Sequence, residues 1–379
     1  MDNLTHTLVG LAAAKAGLER LSPGATAVCL VAANAPDADI VAAFGGSWFY
    51  LKHHRGITHS IVGVVALAFI IPLLFYAGGR VIARVRRETP RVRFGGLLVA
   101  SLLLSASHPL MDWTNNYGVR PLLPWSGRWF YGDLVNIIDP WLWLALGGAA
   151  FLLTARTHWR TIAWCLLALL ATLVLLQLPQ RAGMSYPATL PVLWFAGLAV
   201  IFVAHRVKLA ARWGSSIALA ALAFVVLYWG ALALLHARAT TEAHAFASTL
   251  AGSNNETVLR VAAMPTLANP TRWRSVAETD RANYRFETSL LARGDEATQN
   301  FSRYEKPAGA DAEQVSRAAG DERARIFLDF ARFPAVRVES QSCAEELLVR
   351  FADLRFTEPG GVRRSGGGFA VDIPVRRAP

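Results

Sequence analysis

The sequence predicts a mainly α-helical protein: a polytopic transmembrane bundle of about eight helices, some of them short, followed by a small C-terminal α+β soluble domain. The chain has 379 residues, 54% apolar and only 17% charged, whereas soluble domains carry about 25% charged residues. Residues 1–239 hold 19 Lys or Arg but only 8 Asp or Glu, and residues 240–379 hold 19 of each. This asymmetry excludes a single soluble globule. It predicts a transmembrane domain over 1–239 and a soluble extracytoplasmic domain over 240–379.

Apolar runs predict the helices of the first domain. The two clearest, 161–178 and 215–236, approach the roughly 20 residues that cross a bilayer. Three runs are shorter, and we expect those helices to be tilted or buried inside the bundle. The predicted helices cover residues 5–20, 24–35, 61–79, 94–107, 140–155, 161–178, 188–205 and 215–236.

Basic residues predict the orientation, because cytoplasmic loops of membrane proteins are enriched in Lys and Arg. The loop 80–93 contains six Arg and one Glu, so we expect it to be cytoplasmic. The eight helices then place 13 basic residues inside and six outside, with both termini outside. The sequence thus predicts a multi-pass protein of the bacterial inner membrane. The net charge of +11 is explained by these loops without a nucleic-acid partner, and the oligomeric state is not predicted.

The soluble domain is predicted from strand-like runs around one amphipathic helix. The helix covers 321–332, and a polar loop is expected over 293–320. The strands are predicted at 257–263, 284–291, 335–339, 347–356 and 369–375.

Acidic and imidazole side chains collect on the predicted outer side of the membrane domain, although ionisable residues near spans are costly and tend to be functional. All six aspartates and five histidines fall there. They are Asp2, Asp37, Asp39, Asp112, Asp133, Asp139, His6, His53, His54, His59 and His108.

Most of these residues form five short motifs at the outer ends of different helices: DNLTH, NAPDAD, HHRGITHS, HPLMD and IIDP. A helical bundle can bring such ends together, and imidazole and carboxylate groups are the usual ligands of divalent transition metals. His108 and Asp112 are four residues apart and would share a helix face. Asp37 and Asp39 would point the same way on extended backbone. The candidate ligands are Asp2, His6, Asp37, Asp39, His54, His59, His108 and Asp112.

Each motif also has a simpler interpretation when taken alone. Asp2 and Asp139 fit helix N-caps, and His108 with Asp112 fits a hydrogen bond at a helix end. Asp37 and Asp39 fit a cap of the following turn. The combination favours a metal site, because five His and five Asp converge on one membrane face. We expect one to three divalent ions, with Zn²⁺ ahead of Mn²⁺.

The motifs D-x-x-T-H, P-D-x-D, H-R-G-x-T-H-S, H-P-x-x-D and I-I-D-P resemble the YdjM-like membrane-bound metal-dependent hydrolases over about residues 1–240. The H-x-x-x-D element also resembles the zinc-dependent phospholipase C and single-strand nuclease superfamily, which implies clustered zinc ions cleaving phosphoesters. By that likeness His59, His108, Asp112 and one of Asp37 and Asp39 share one metal, and His6 joins Asp112 at a second. That superfamily also has an N-terminal backbone ligand and a third site with a Glu, neither of which has a clear counterpart in this sequence.

These features predict a hydrolase in which a metal-activated water attacks a phosphoester, with a lipid-linked ester as one substrate class. Arg55 would bind the phosphate or simply extend its charge to the interface, and Asp39 or Asp139 would act as base or orient a ligand His. An aromatic loop, 113–131, is expected in the outer interface. The alternatives are a metal transporter or sensor, whose site would lie near the bilayer midplane, and an assembly protein whose soluble domain binds a partner.

Overall fold

The computed structural model describes residues 1–182, 186–291, 300–340, 346–360 and 369–376. The chain divides into two compact units. The first comprises Met1–Ala38, Arg55–Ala233 and Thr266–Asn269. The second comprises Asp39–His54, Leu234–Pro265 and Pro270–Pro379, so it includes a short excursion from the N-terminal half. The predicted domain boundary at 239 and 240 stays a prediction.

Helices dominate the first 253 residues. They are α1 Asn3–Ala16, α2 Ala25–Asn34, α3 Ser47–His53, α4 Ile61–Val85, α5 Phe94–Trp113, α6 Pro140–Thr154, α7 His158–Ala182, α8 Thr189–Arg206, α9 Leu209–Trp213 and α10 Ser216–Ser253. Helix α3 lies in the second unit, and α10 passes from the first unit into the second at residue 234. Three 3₁₀ segments, Leu18–Arg20, Ala35–Gly45 and Ile57–His59, connect the early helices.

Six apolar stretches in the described part of the chain are long enough to cross a membrane, and α6 is a shorter apolar helix. They are Ala25–Gly45, Ile61–Val85, Phe94–Trp113, His158–Gln177, Thr189–Arg206 and Ser216–Ser253. Large apolar side chains on these helices remain exposed, such as Leu74 at 65% and Leu227 at 73%, as expected for surfaces that contact lipid. The predicted class, a polytopic helical bundle with a small sheet-containing C-terminal region, is confirmed.

Small residues hold the first helices of the bundle close together. Gly10 in α1 packs against α2, and a Cβ on it would come within 2.8 Å of the Cys29 carbonyl oxygen and 3.1 Å of Ala33 Cβ. Ala12 and Ala32 are also fully buried. In a membrane, an apolar side chain gains little free energy by moving from lipid to the surface of another helix. Close contacts between small residues therefore stabilise the association of the helices.

Two local expectations were wrong. The helix predicted to end at 107 continues to Trp113 although Pro109 lies within it. The proline removes only one backbone donor near the helix end, and burial of His108 and Asp112 favours continuing the turn. Residues 35–45 form a 3₁₀ segment rather than extended backbone.

The second unit contains two sheets and two helices after α10. The strands are β1 Val258–Thr266, β2 Asn269–Thr279, β3 Ala282–Ser289, β4 Phe301–Glu305, β5 Pro334–Ser340, β6 Glu346–Asp353 and β7 Ala370–Arg376, with helices α11 Gly309–Ala319 and α12 Glu322–Phe330. The sheet orders are β1-β2-β3-β4 and β5-β6-β7. The pairs β2–β3, β3–β4, β5–β6 and β6–β7 are antiparallel. The loop predicted over 293–320 was wrong for 301–305 and 309–319, because these short elements contain few large apolar residues. Residues 292–299 lie outside the described residues.

A buried ion pair joins α12 to the second sheet of this unit. Arg355 donates from Nη2 to the Phe330 carbonyl oxygen over 2.9 Å and pairs with Asp353 Oδ2 at 2.7 Å. Its guanidinium also lies 4.6 Å from the centre of the Phe330 ring. Helix α3 packs against α12 within the same unit, which is how residues 39–54 belong to it.

The start of α4 yields a stability prediction. A Cβ on Gly63 would collide with the backbone of the Ile57–His59 turn, whereas a Cβ on Gly78 of the same helix meets nothing within 4 Å. We expect Gly63→Ala to destabilise the protein by about 1–3 kcal/mol and Gly78→Ala to be neutral or stabilising by up to about 1 kcal/mol. Thermal unfolding in detergent measures both, and equal midpoints would contradict the packing described here.

Candidate metal centre

Helix α5 supplies two side chains of the site. His108 and Asp112 are four residues apart on one helix face, and both are buried. Their facing atoms, His108 Nε2 and Asp112 Oδ2, lie 3.6 Å apart. The helical spacing inferred from the HPLMD motif therefore places imidazole and carboxylate side by side.

The HRGITHS motif folds into a tight turn that presents His59. Arg55 adopts a left-handed backbone with φ of 51°, and Ile57–His59 form a single 3₁₀ turn. Ser60 then caps α4: its hydroxyl accepts from the Gly63 N–H at 3.1 Å and donates to the Ile57 carbonyl at 2.7 Å. The cap fixes the turn and thereby the direction of the His59 ring.

Four donor atoms from three segments of the first unit converge. Asp37, His59, His108 and Asp112 each offer one ligand atom, and these atoms all lie within 4.8 Å of one another. His59 Nε2 lies 3.4 Å from Asp37 Oδ1, 3.3 Å from Asp112 Oδ2 and 3.2 Å from His108 Nε2. His108 Nε2 lies 3.4 Å from Asp37 Oδ1.

These spacings fit a tetrahedral ion. Tetrahedral bonds of about 2.0–2.2 Å place ligand atoms about 3.3–3.6 Å apart. Five of the six edges of the donor set measure 3.2–3.6 Å. The arrangement therefore has the size of a divalent metal site.

The protonation of His108 gives a second, independent fit. Its Nδ1 lies 2.6 Å from the Ala33 carbonyl oxygen, which can only accept, so Nδ1 carries the proton. In the neutral ring Nε2 then presents a lone pair to the two carboxylates, and either a bound metal ion or a proton on Nε2 makes that juxtaposition favourable. Thr58 Oγ1 lies 3.2 Å from His59 Nδ1 and can orient that ring in the same way.

Asp112 also faces a second group with its other oxygen. Oδ1 lies 3.3 Å from His6 Nε2 and contacts the amino nitrogen of Met1. The His6 ring stacks on His108, with ring centres 3.7 Å apart. Its Nδ1 is buried and has no hydrogen-bond partner in the part of the chain that the structure describes. One carboxylate thus contacts both the four-donor cluster and His6.

Arg55 is buried beside Asp112 rather than extended towards solvent. Its Nε lies 3.1 Å from Asp112 Oδ2. Its Nη1 donates to Asn115 Oδ1 at 3.0 Å and to the Gly118 carbonyl at 3.1 Å. The guanidinium also lies 4.7 Å from the centre of the Tyr117 ring. The residue is therefore held by protein acceptors and orients Asp112.

Two predicted site residues cap helices outside the four-donor cluster. Asp2 accepts from the Thr5 N–H at 2.9 Å and from Trp143 Nε1 at 3.2 Å. Asp139 accepts from the Trp141 N–H at 2.9 Å and from the Tyr228 hydroxyl at 2.9 Å.

Three more of the predicted outer-side residues lie in the second unit. His54 Nδ1 pairs with Asp39 Oδ1 at 3.0 Å, and the His54 ring stacks on Tyr50. The His53 ring lies 4.2 Å from Phe49. The roles predicted for Asp39 and His54 stay predictions.

Sequence reasoning missed the groups that support the ligands. Asn115 and Tyr117 lie three and five residues after Asp112 in the sequence HPLMDWTNNY, and their contacts with Arg55 form only because the chain turns after α5. The group that orients His108 is the backbone carbonyl of Ala33, which every residue type possesses. The sequence therefore does not predict this contact.

The fold and the cluster define a polytopic membrane protein with a buried His/Asp site at the ends of its helices. Residues 1–184 match the YdjM inner membrane protein family. The resemblance drawn from the motifs is thereby confirmed, and with it an inner-membrane location.

One relative is YfhP of Bacillus subtilis (strain 168), an uncharacterized protein, which is 29% identical over 155 residues. The match covers 38% of this chain and 44% of YfhP, less than half of either protein. No solved structure matches this chain.

The donor set predicts which variants lose metal. Asp112→Asn and His108→Ala should each lower bound metal in the purified protein by about 10-fold or more, because each removes or weakens a direct ligand. Asp139→Asn, which alters a buried carboxylate that caps α6, is the matched control and should keep wild-type metal. Elemental analysis of detergent-purified protein measures this. A metal-free wild type would leave only hydrogen bonds between protonated imidazoles and carboxylates.

Proposed function

We propose that the chain is a metal-dependent hydrolase that cleaves a phosphoester at the outer face of the inner membrane. The proposal is supported most strongly by the two carboxylate oxygens of Asp112, which face different groups. One oxygen belongs to the four-donor cluster, and the other lies beside His6. Divalent ions bound at these two positions would supply Lewis acidity, and the ion beside His6 would lower the pKa of a bound water to near neutral.

In this proposal some residues bind the ion and others orient the ligands. Asp37, His59, His108 and Asp112 hold the ion, and the hydrogen bonds at His108 Nδ1 and Asp112 keep the donors aimed before substrate arrives. Asp37 is the most exposed of the four, at 15%, while the others are at most 1% exposed. We infer that substrate and water approach past Asp37.

His6 favours hydrolysis over a purely structural metal. A tetrahedral site with four protein ligands is closed, whereas catalytic sites keep a position for water. His6 and Asp112 Oδ1 provide only two side-chain ligands at the second position, so water and substrate can complete its coordination.

Arg55 lies beside the site and is paired with Asp112. The Arg55 guanidinium lies 3.1 Å from Asp112 and is buried, so its field is weakly screened. Arg55 acts here through Asp112 rather than as a direct phosphate clamp. The choice of a phosphoester rests on the likeness of the H-x-x-x-D element to zinc-dependent phospholipases.

His6 allows binding and turnover to be tested separately. We expect His6→Ala to retain metal in the four-donor cluster and to lose hydrolysis by about 100-fold or more. His158→Ala, an exposed histidine at the start of α7, is the control and should behave as wild type. Released phosphate or alcohol from phosphomonoesters, phosphodiesters and phospholipids provides the assay, before and after chelation and metal return.

The alternative function, metal transport or sensing, predicts a different outcome from the same preparation. Tightly bound metal with no turnover of any ester, together with metal flux in reconstituted vesicles, would replace the hydrolase proposal. The placement of His59 and Asp112 beside helix termini, at the start of α4 and the end of α5, supports hydrolysis over midplane transport.

We also propose that the soluble domain is extracytoplasmic. The basic loop 80–93 supports this orientation, because such loops are usually cytoplasmic. A C-terminal alkaline phosphatase fusion should be active and a C-terminal green fluorescent protein fusion dark, because each reporter works on one side only. The same fusions placed within loop 80–93 should give the reverse pattern. Fluorescence from the C-terminal fusion would overturn the proposed orientation.

A further inference from the structure

A cavity lined by charged and apolar residues lies in the first unit, at the end of α1 opposite His6. Its volume is about 510 Å³, and it is enclosed by the last turns of α1, α6 and α8 and by α9. Nothing in the proposed hydrolase mechanism uses it. Its charged lining consists of Lys15, Glu19, Arg20, Arg156 and Lys208.

The charges around this cavity do not balance. Lys15 Nζ pairs with Glu19 Oε2 at 2.6 Å. In the part of the chain that the structure describes, no carboxylate lies within 4.0 Å of the charged atoms of Arg20, Arg156 or Lys208. Three cations from three different connections therefore line one concavity, while the carboxylate among its described lining residues, Glu19, is paired with Lys15.

The backbone is bent to close the cavity on the α9 side. Lys208 has a left-handed conformation with φ of 55°, and Gly214 at the other end of α9 has φ of 49°. A left-handed lysine costs about 1 kcal/mol, so the turn that brings Lys208 to the cavity forms against its local preference. This distinguishes Lys208 from a basic residue that merely ends a helix.

The cavity also has apolar walls. Leu152, Leu153 and Leu209 line it beside the cations, and α8 runs into it from a candidate membrane span. An occupant must therefore present an anion next to hydrocarbon. Arg and Lys between the ends of membrane helices are suited to lipid phosphate groups.

We propose that this cavity binds the phosphodiester headgroup of an anionic membrane lipid in the leaflet at that membrane face. The phosphate lies among Arg20, Arg156 and Lys208, and the start of the acyl chains contacts the leucines. The site is separate from the metal centre and independent of the proposed hydrolysis.

The test compares two triple variants with the same loss of charge. Arg20→Gln/Arg156→Gln/Lys208→Gln removes the cations of the cavity. Arg84→Gln/Arg87→Gln/Arg91→Gln removes three exposed cations from the loop after α4, which do not line it. Native mass spectrometry of detergent-purified protein titrated with phosphatidylglycerol or phosphatidylcholine measures lipid retention.

We expect wild-type protein to retain phosphatidylglycerol over phosphatidylcholine, the cavity variant to lose about 10-fold or more of this retention, and the loop variant to keep it. Because the substituted residues are exposed, thermal unfolding in lipid-free detergent should stay unchanged. The single variants Arg156→Gln and Lys208→Gln should each show a partial loss and serve if the triple variant fails to fold.

Equal losses in both triple variants would show general attraction to basic loops and overturn the proposal. So would equal retention of the two lipids by wild-type protein. Displacement of bound phosphatidylglycerol by millimolar inorganic phosphate would identify free phosphate as the ligand instead of lipid.

Discussion

The packing of the first unit depends on the charged and polar partners of one buried carboxylate, Asp112. Asp112 is 1% exposed, and an isolated carboxylate at such a position is costly unless it is paired or binds a metal. Its oxygens contact Arg55, His6, His59 and His108 at 3.1–3.6 Å. The start of α1, the HRGITHS turn and the end of α5 therefore meet at Asp112, and a change in any one of them alters the environment of the others.

Arg55 illustrates this coupling. Its left-handed backbone and buried guanidinium would be unfavourable alone, but acceptors after α5 stabilise both. The same turn then places His59 against His108. The HRGITHS motif thus contributes both a candidate metal ligand, His59, and the cation that neutralises Asp112, which is Arg55.

The sequence predicted the helical membrane half well, because long apolar runs with few charges have few alternatives to a span. It also predicted that His59, His108 and Asp112 lie near one another, since the spacing of HPLMD fixes one pair on a helix. It did not predict the 3₁₀ geometry of residues 35–45, because that geometry follows from packing. The short elements 301–305 and 309–319 were missed since their stability comes from neighbouring strands and helices. Arg55 was predicted to bind phosphate or to extend its charge to the interface, and only its tertiary acceptors reveal the buried role.

The proposed site depends on a divalent metal ion that is held by four residues, Asp37, His59, His108 and Asp112. X-ray absorption spectroscopy at the metal edge of the purified wild-type protein tests it most directly. We predict a first shell of two imidazole nitrogens and carboxylate oxygens at about 2.0–2.2 Å, with the imidazole signal reduced in His108→Ala. A metal-free protein, or a first shell without imidazole, would contradict the account.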